Sequence, residues 1–178
     1  MKYFDEIKKS MTWLSEQENT IFIGQAVEYD GTGMTNTLVD VPKNKKLEMP
    51  VSEEFQMGIS LGMSLDGKIP ISIYPRWNFL LLAVNQLVSH IDKLSEYSHG
   101  KYNPKVIIRT GIGSINPLHP QIQHVGDFTE SFQKMLKNVE VIRLDETDMI
   151  FESYKKAYER KDGKSTLIVE WSDYYNAK

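Results

Sequence analysis

Five short apolar runs, each separated from the next by a helical or loop-rich segment, limit what this chain can become. They lie at residues 20–23 (TIFI), 69–74 (IPISIY), 105–110 (KVIIRT), 139–144 and 165–171. Runs of this length, bounded by turn formers, read as strands buried within a sheet. Between them the pattern changes to a helical period. Tyr3, Phe4, Ile7, Met11 and Leu14 predict a first amphipathic helix ending near Glu18 or Asn19. A second helix is expected to start at Glu53, with Ser52 as its cap and Glu53 and Glu54 in the first turn, where the helix dipole favours negative charge. A third starts near Trp77, with Leu80, Leu81, Val84, Leu87, Val88, Ile91 and Leu94 as a mostly buried stripe, and two more cover 127–136 and 147–160. Strands alternating with helices argue for right-handed βαβ units. The expected architecture is α/β, a three-layer αβα sandwich with a mostly parallel sheet.

In such sheets ligands bind outside the carboxyl ends of the strands. That rule puts Gly24 and Gln25, residues 74–79 and residues 110–124 on one rim, with the helix start at Ser52 and Glu53 a candidate to join them. The loop GIGSINPLHPQIQH at 111–124 is too rich in Gly, Pro and Asn to predict regular structure, and a long loop leaving a central strand is where function tends to sit. PKNKKLE at 42–48 reads as an exposed basic loop. His119 and His124 lie five apart with Asp127 three further on, but this spacing supplies neither a third convergent ligand nor a defined scaffold, so no metal site is assigned.

Composition removes several classes of function. The 178 residues carry a formal net charge of -3 without a basic patch, so neither nucleic acid nor an anionic membrane is an expected partner. There is no cysteine, which excludes disulfides, thiolate metal sites and a cysteine nucleophile. The N-terminus lacks the continuous apolar run of a signal peptide and no later run reaches membrane-spanning length, so a cytoplasmic location is expected. Neither a GxxxxGK[ST] loop nor an HExxH helix occurs.

PVSE before a glycine-spaced helix, IPISIYPRWNF leading into AVNQ, KVIIRTGIG, and QHVGDFTESF ahead of VEVI follow one another along nearly the whole chain. In this order they resemble the pyrimidine-binding domain of thiamine-diphosphate-dependent enzymes, closest to the beta subunit of the decarboxylating component of 2-oxo-acid dehydrogenase complexes, within the transketolase superfamily. The resemblance implies a thiamine-diphosphate-binding fold over residues 1–178 as a single domain, and it implies roles for particular residues. Glu53 matches the glutamate that hydrogen-bonds the aminopyrimidine ring nitrogen and so activates the cofactor, a task that requires a desolvated carboxyl. Phe79 matches the aromatic residue that stacks on the aminopyrimidine. His124 matches the histidine of the substrate region, a proton donor or a stabiliser of the reacting group. Glu54 has no such role. Gly58 and Gly62, each costing a helix about 1 kcal/mol relative to alanine, match a helix that lies in a subunit interface, with a close strand contact within the chain as the other explanation.

Two departures from the family pattern bear on activity. Gly24, Gln25 and Ala26 stand where the family has Gly-Glu-Asp or Gly-Glu-Glu. The diphosphate- and magnesium-binding pattern, GDG followed by paired asparagines, does not occur, since Gly126 and Asp127 are followed by Phe128. The beta subunits also continue into a second domain, whereas this sequence stops soon after Trp171. The implied protein is therefore the pyrimidine-binding subunit of a two-component enzyme. Thiamine diphosphate would lie in a seam with a diphosphate-binding partner subunit on a separate chain, Mg2+ would be held by that partner, and the assembly would be a homodimer or heterotetramer. The substrate would be a 2-oxo acid or a ketose-like donor. A non-catalytic assembly or regulatory subunit is the alternative, and a flavodoxin-like binding protein is a third reading that sheet topology does not exclude.

Overall fold

A computed structural model of the chain describes residues 2–29, 32–116 and 119–177. In order the elements are α1 (Tyr3–Ser15), β1 (Thr20–Gly24), α2 (Gly33–Asn36), β2 (Lys46–Glu48), α3 (Glu53–Leu65), β3 (Ile69–Tyr74), α4 (Trp77–Leu80), α5 (Leu94–Tyr97), β4 (Ile107–Ile112), α6 (Thr129–Met135), β5 (Val139–Arg143), α7 (Met149–Glu159), β6 (Ser165–Trp171) and α8 (Tyr174–Ala177). The six strands form one sheet in the order β2-β1-β3-β4-β6-β5, and every neighbouring pair is parallel. The five apolar runs are all strands, as their patterning requires.

Alternation along the strands divides the core in two. Ile71 and Ile73 of β3, Ile107 of β4 and Ile168 of β6 pack with Tyr3, Ile7, Met11 and Leu14 of α1 and Ile150 and Tyr154 of α7. Ile108 and Ile112 of β4 and Leu167 and Val169 of β6 point the other way, to Met57 of α3, Trp77 and Leu80 of α4 and Phe132 of α6. The chain is thus an αβα sandwich, with each face of the sheet covered by a separate apolar cluster.

The structure corrects four local expectations. Residues 46–48 are an edge strand on β1 rather than loop; the strand is only half-buried, so its lysine and glutamate leave no apolar signal. The helix begun at Trp77 is broken, continuing as a 3-10 turn at Leu81–Ala83 and a π-helical turn at Gln86–Ile91 before α5. The wider turn re-aims the buried face, so Leu80, Ala83, Leu87, Ile91 and Leu94 stay inside while Leu81 is exposed. Ser52 precedes α3 but makes no side-chain cap hydrogen bond. Helix α1 ends at Ser15, before the expected Glu18 or Asn19. Within the long loop after β4, residues Gln121–His124 form a 3-10 turn, and Pro117 and Leu118 lie outside the described residues.

Candidate functional site

The strand order reverses direction around β1: the chain passes from β1 outward to β2, then crosses back to β3 on the other side. Loops leaving adjacent strands diverge at such a point and leave a crevice between them. A cleft of about 590 Å3 opens there, lined by Gln25 and Ala26 after β1, Pro75, Arg76 and Phe79 after β3, and Gly113, Ser114 and Asn116 after β4. Three loops expected on one rim therefore do meet. Two further walls, Met34 and its neighbours at α2 and the pair Ser172 and Tyr175 after β6, carried no signal in the sequence.

Each wall is fixed by identifiable contacts. Gly24 ends β1 where a β-carbon would lie 2.7 Å from the Ile73 carbonyl oxygen, so only glycine allows this approach of β1 to β3. Ala26 follows with φ +58, and the Glu48 carboxylate of β2 accepts from the main-chain N–H of Ala26 at 2.6 Å and of Glu28 at 3.0 Å. The edge strand missed in the sequence thus holds the turn that carries Gln25. Arg76 ties the second wall to the third: its Nη1 donates to the carbonyls of Gly113 (2.9 Å), Ser114 (3.1 Å) and His124 (3.1 Å). Burial lowers the Arg76 pKa from its usual value, against the pull of the Asp173 carboxylate.

Among the residues singled out by sequence, Phe79 lines the cleft and His124 lies against it, with ring centroids 5.2 Å apart. His124 Nδ1 is buried and has no hydrogen-bond partner among the described residues. His119 is exposed, and its Nδ1 accepts from the Gln121 N–H. Asp127 caps α6 by accepting from the Thr129 N–H and pairs with Arg143 at 2.9 Å, which leaves it a structural role. No group of three or more His, Asp or Glu among the described residues is arranged to hold a metal ion.

Glu53 is not part of the cleft wall but belongs to the same rim. The Gln56 side chain, one turn into α3, donates to the Ile73 carbonyl at 2.9 Å and to Ser72 Oγ at 3.2 Å, which fastens the start of the helix over the end of β3. Tyr74 Oη donates to the Glu53 carbonyl at 3.3 Å. Burial pushes the Tyr74 pKa up, and the nearby Glu53 carboxylate adds to the rise. The Glu53 side chain itself is 7 % exposed and forms no hydrogen bond or ion pair with the described residues. Glu54, by contrast, is exposed. The first turn of α3 therefore covers Glu53 largely and leaves Glu54 in water.

Gly58 and Gly62 are exposed, and a β-carbon on either would meet nothing within 4 Å. A close strand contact within the chain does not explain them. The same helix shows Phe55, 54 % exposed, and Leu65, and the 3-10 turn packed against it shows Leu82, 61 % exposed. The GISLG run at 58–62 has the spacing of a hydrolase nucleophile elbow, but Ser60 sits inside the helix, bonded to the Gln56 carbonyl and Ser72 Oγ, and not on a strand-to-helix turn.

No helix among the described residues is long and apolar enough to cross a membrane. No protein-family model matches the chain. Over 105 residues, 57% of the chain, it is 30% identical to the pyruvate dehydrogenase E1 component subunit beta of Cyanidium caldarium, covering 32% of that protein. Over 117 residues, 64% of the chain, it is 24% identical to the 2-oxoisovalerate dehydrogenase subunit beta of Bacillus subtilis (strain 168), covering 36% of it. The chain thus spans about a third of the length of the curated relatives it matches. Among solved structures, a split-gene transketolase, described as an inactive beta4 tetramer, superposes with a TM-score of 0.73 over 97% of this chain and 52% of that one, at 17% identity. The chain is therefore similar in sequence to the beta subunits of 2-oxo-acid dehydrogenases and in fold to transketolase, the resemblance that its own motifs carry.

Proposed function

We propose that this chain is the pyrimidine-binding subunit of a two-component thiamine-diphosphate-dependent enzyme that cleaves or decarboxylates a 2-oxo acid or a ketose-like donor. The observation that carries the reading is Glu53, a residue 7 % exposed at the start of α3 whose carboxylate makes no hydrogen bond or ion pair with the described residues. A carboxylate without an internal partner keeps its acceptor capacity for a ligand. A ring nitrogen that shares a proton with the carboxyl is the partner its chemistry suits.

The other residues fit the same group. Phe79 offers a half-buried ring on the cleft wall, suited to stack on a flat heterocycle. His124, packed on Phe79 with a buried and unpartnered Nδ1, would hold or release a proton at the substrate. When bound, thiamine diphosphate supplies a carbon nucleophile and an electron sink for the substrate carbonyl. Glu53 would hold the pyrimidine proton, Phe79 would fix the ring plane, and the walls of the cleft would orient the donor and exclude water. The described residues hold no GDG pattern with paired asparagines, so the diphosphate and its Mg2+ would be held by a partner subunit docked over this rim. The exposed Gly58 and Gly62 face of α3 is suited to that assembly, as a homodimer or heterotetramer.

The test is turnover by the chain co-purified with its diphosphate-binding partner. Glu53→Gln should reduce thiamine-dependent turnover by at least about 100-fold while leaving the assembly intact. An unchanged rate would remove the catalytic role of Glu53. A complex that assembles and binds cofactor but turns over no 2-oxo acid or ketose would instead establish the non-catalytic subunit.

A further inference from the structure

Arg76 is a cation without an ion-pair partner among the described residues, and Asp173 acts on it only through its field. It is half-buried on the wall of the cleft, and no carboxylate among the described residues comes within ion-pairing distance of it. Asp173 contributes only its field, because its Oδ1 accepts from the Ile115 N–H at 2.9 Å. Three main-chain carbonyls share one guanidinium nitrogen, Nη1, which fixes the plane of the group without neutralising it. A charge taken partly out of water without an ion-pair partner favours a bound anion.

The rest of the wall has the same character. The described lining contains no carboxylate, and Gln25 occupies the position after β1 where an acidic residue would repel an anion. Ser172 Oγ is buried at the lining without any hydrogen-bond partner. A β-carbon at Gly111 would lie 2.4 Å from this hydroxyl, so glycine there makes the room that Ser172 Oγ occupies. Ser114 and Asn116 add polar side chains around the same opening.

We propose that the cleft binds the anionic group of the substrate, a carboxylate or a phosphate, on the Arg76 guanidinium, with Ser172 Oγ as a second donor. This rests on the proposed reaction for the word substrate but not for the binding, since every group invoked is on this chain. A planar guanidinium pairs two oxygens of either anion in parallel, and such charge-assisted bonds are the strong ones. A carboxylate directly on the reacting carbon marks a 2-oxo acid, whereas a phosphate marks a ketose phosphate. The anion that binds better therefore assigns the donor class.

Binding is measured by NMR titration of the full chain with inorganic phosphate, with pyruvate, and with neutral glycerol as control, following the Arg76 Nε–Hε resonance. One of the two anions should shift that resonance saturably and glycerol should not. Arg76→Gln should weaken the anion at least about tenfold and Ser172→Ala by a smaller factor. If neither anion moves the Arg76 resonance, or if Arg76→Gln binds as well as the parent, the proposal is wrong. Should Arg76→Gln fail to fold because three carbonyls lose their donor, the parent titration and Ser172→Ala still decide it. Thiamine-dependent turnover without anion binding would remove this inference alone. Anion binding without turnover would remove the proposed reaction alone.

Discussion

Two buried polar regions of this protein lie on either side of the carboxyl ends of the strands, and they are built on opposite principles. Inside the sheet, under α1 and α7, the Glu170 carboxylate accepts from Arg109 Nε at 2.5 Å and Nη2 at 2.9 Å, and also from the hydroxyls of Tyr154 and Tyr175. The Arg109–Glu170 pair is fully buried, and burial together with the Glu170 charge pushes both tyrosine pKa values well up. Only Arg109 Nη1 in this web lacks a partner. On the rim, by contrast, His124 Nδ1 and Ser172 Oγ are buried with none, and the Glu53 carboxylate makes no bond to the described residues. A nearly saturated network fixes a fold, whereas polar groups without internal partners keep their bonding capacity for a ligand. Tyr175 links the two, since it donates to Glu170 from a position on the cleft wall.

The largest effect is expected where the web is cut. Glu170→Gln keeps the shape but strands Arg109 in the core without its counter-charge, so stability to urea should fall by about 3–5 kcal/mol. Glu53→Gln should change the same denaturation free energy by less than about 1 kcal/mol, because no internal bond is lost. A Glu53→Gln variant as unstable as Glu170→Gln would erase the distinction between the two regions and make Glu53 a structural residue.

A second saturated carboxylate sharpens the contrast through pH. Asp92, fully buried after the π-helical turn, accepts from the Lys137 and Asn138 main-chain N–H groups at 2.8 and 2.6 Å and pairs with Lys93. Burial alone would raise its pKa; the bonds from Lys93, Asn138 and Lys137 outweigh burial and hold it below the usual carboxylate value. A carboxyl with a depressed folded pKa contributes stability that is present above its unfolded pKa of about 3.9 and is lost as pH falls through the folded value. Urea midpoints should therefore drop between about pH 5 and pH 3 in the parent, and Asp92→Asn should lower the midpoint at pH 5 while flattening that drop. Equal slopes in the two proteins would show that other groups carry the acid sensitivity.

The sheet was legible because its signal is local: IPISIY and the runs like it are apolar on both faces, and parallel pairing demands that. The rim was legible as far as strand order could be inferred, which placed Gln25, Phe79 and His124 on one edge. What stayed hidden depends on contacts distant in sequence. Arg76 bonds to carbonyls 37, 38 and 48 residues away, and Glu48 holds a turn 22 residues before it, neither of which leaves a pattern in the residues themselves. Residues 172–175 looked like a polar tail, yet Ser172 and Tyr175 form a wall of the cleft because β6 ends beside β4. The break after Leu80 was hidden for another reason: a π-helical turn keeps a helical stripe apolar while re-aiming it.

The smallest expected effect tests the third kind of surface, which is neither saturated nor orphaned but bare. Gly58 and Gly62 lie in the interior of α3 with open space where their β-carbons would be, so alanine at either should stabilise the isolated chain by up to about 1 kcal/mol through helix propensity. Glycine at two such positions, one turn apart and beside exposed Phe55, suits the proposed approach of a partner to the helix backbone. The same alanines should then weaken assembly with the diphosphate-binding subunit while raising the melting temperature of the isolated chain. Opposite signs in the two measurements are the signature of an interface. If Gly58→Ala and Gly62→Ala raise the melting temperature and leave assembly unchanged, the bare face has no partner, and docking over the rim must use the loops around Arg76 and His124 instead.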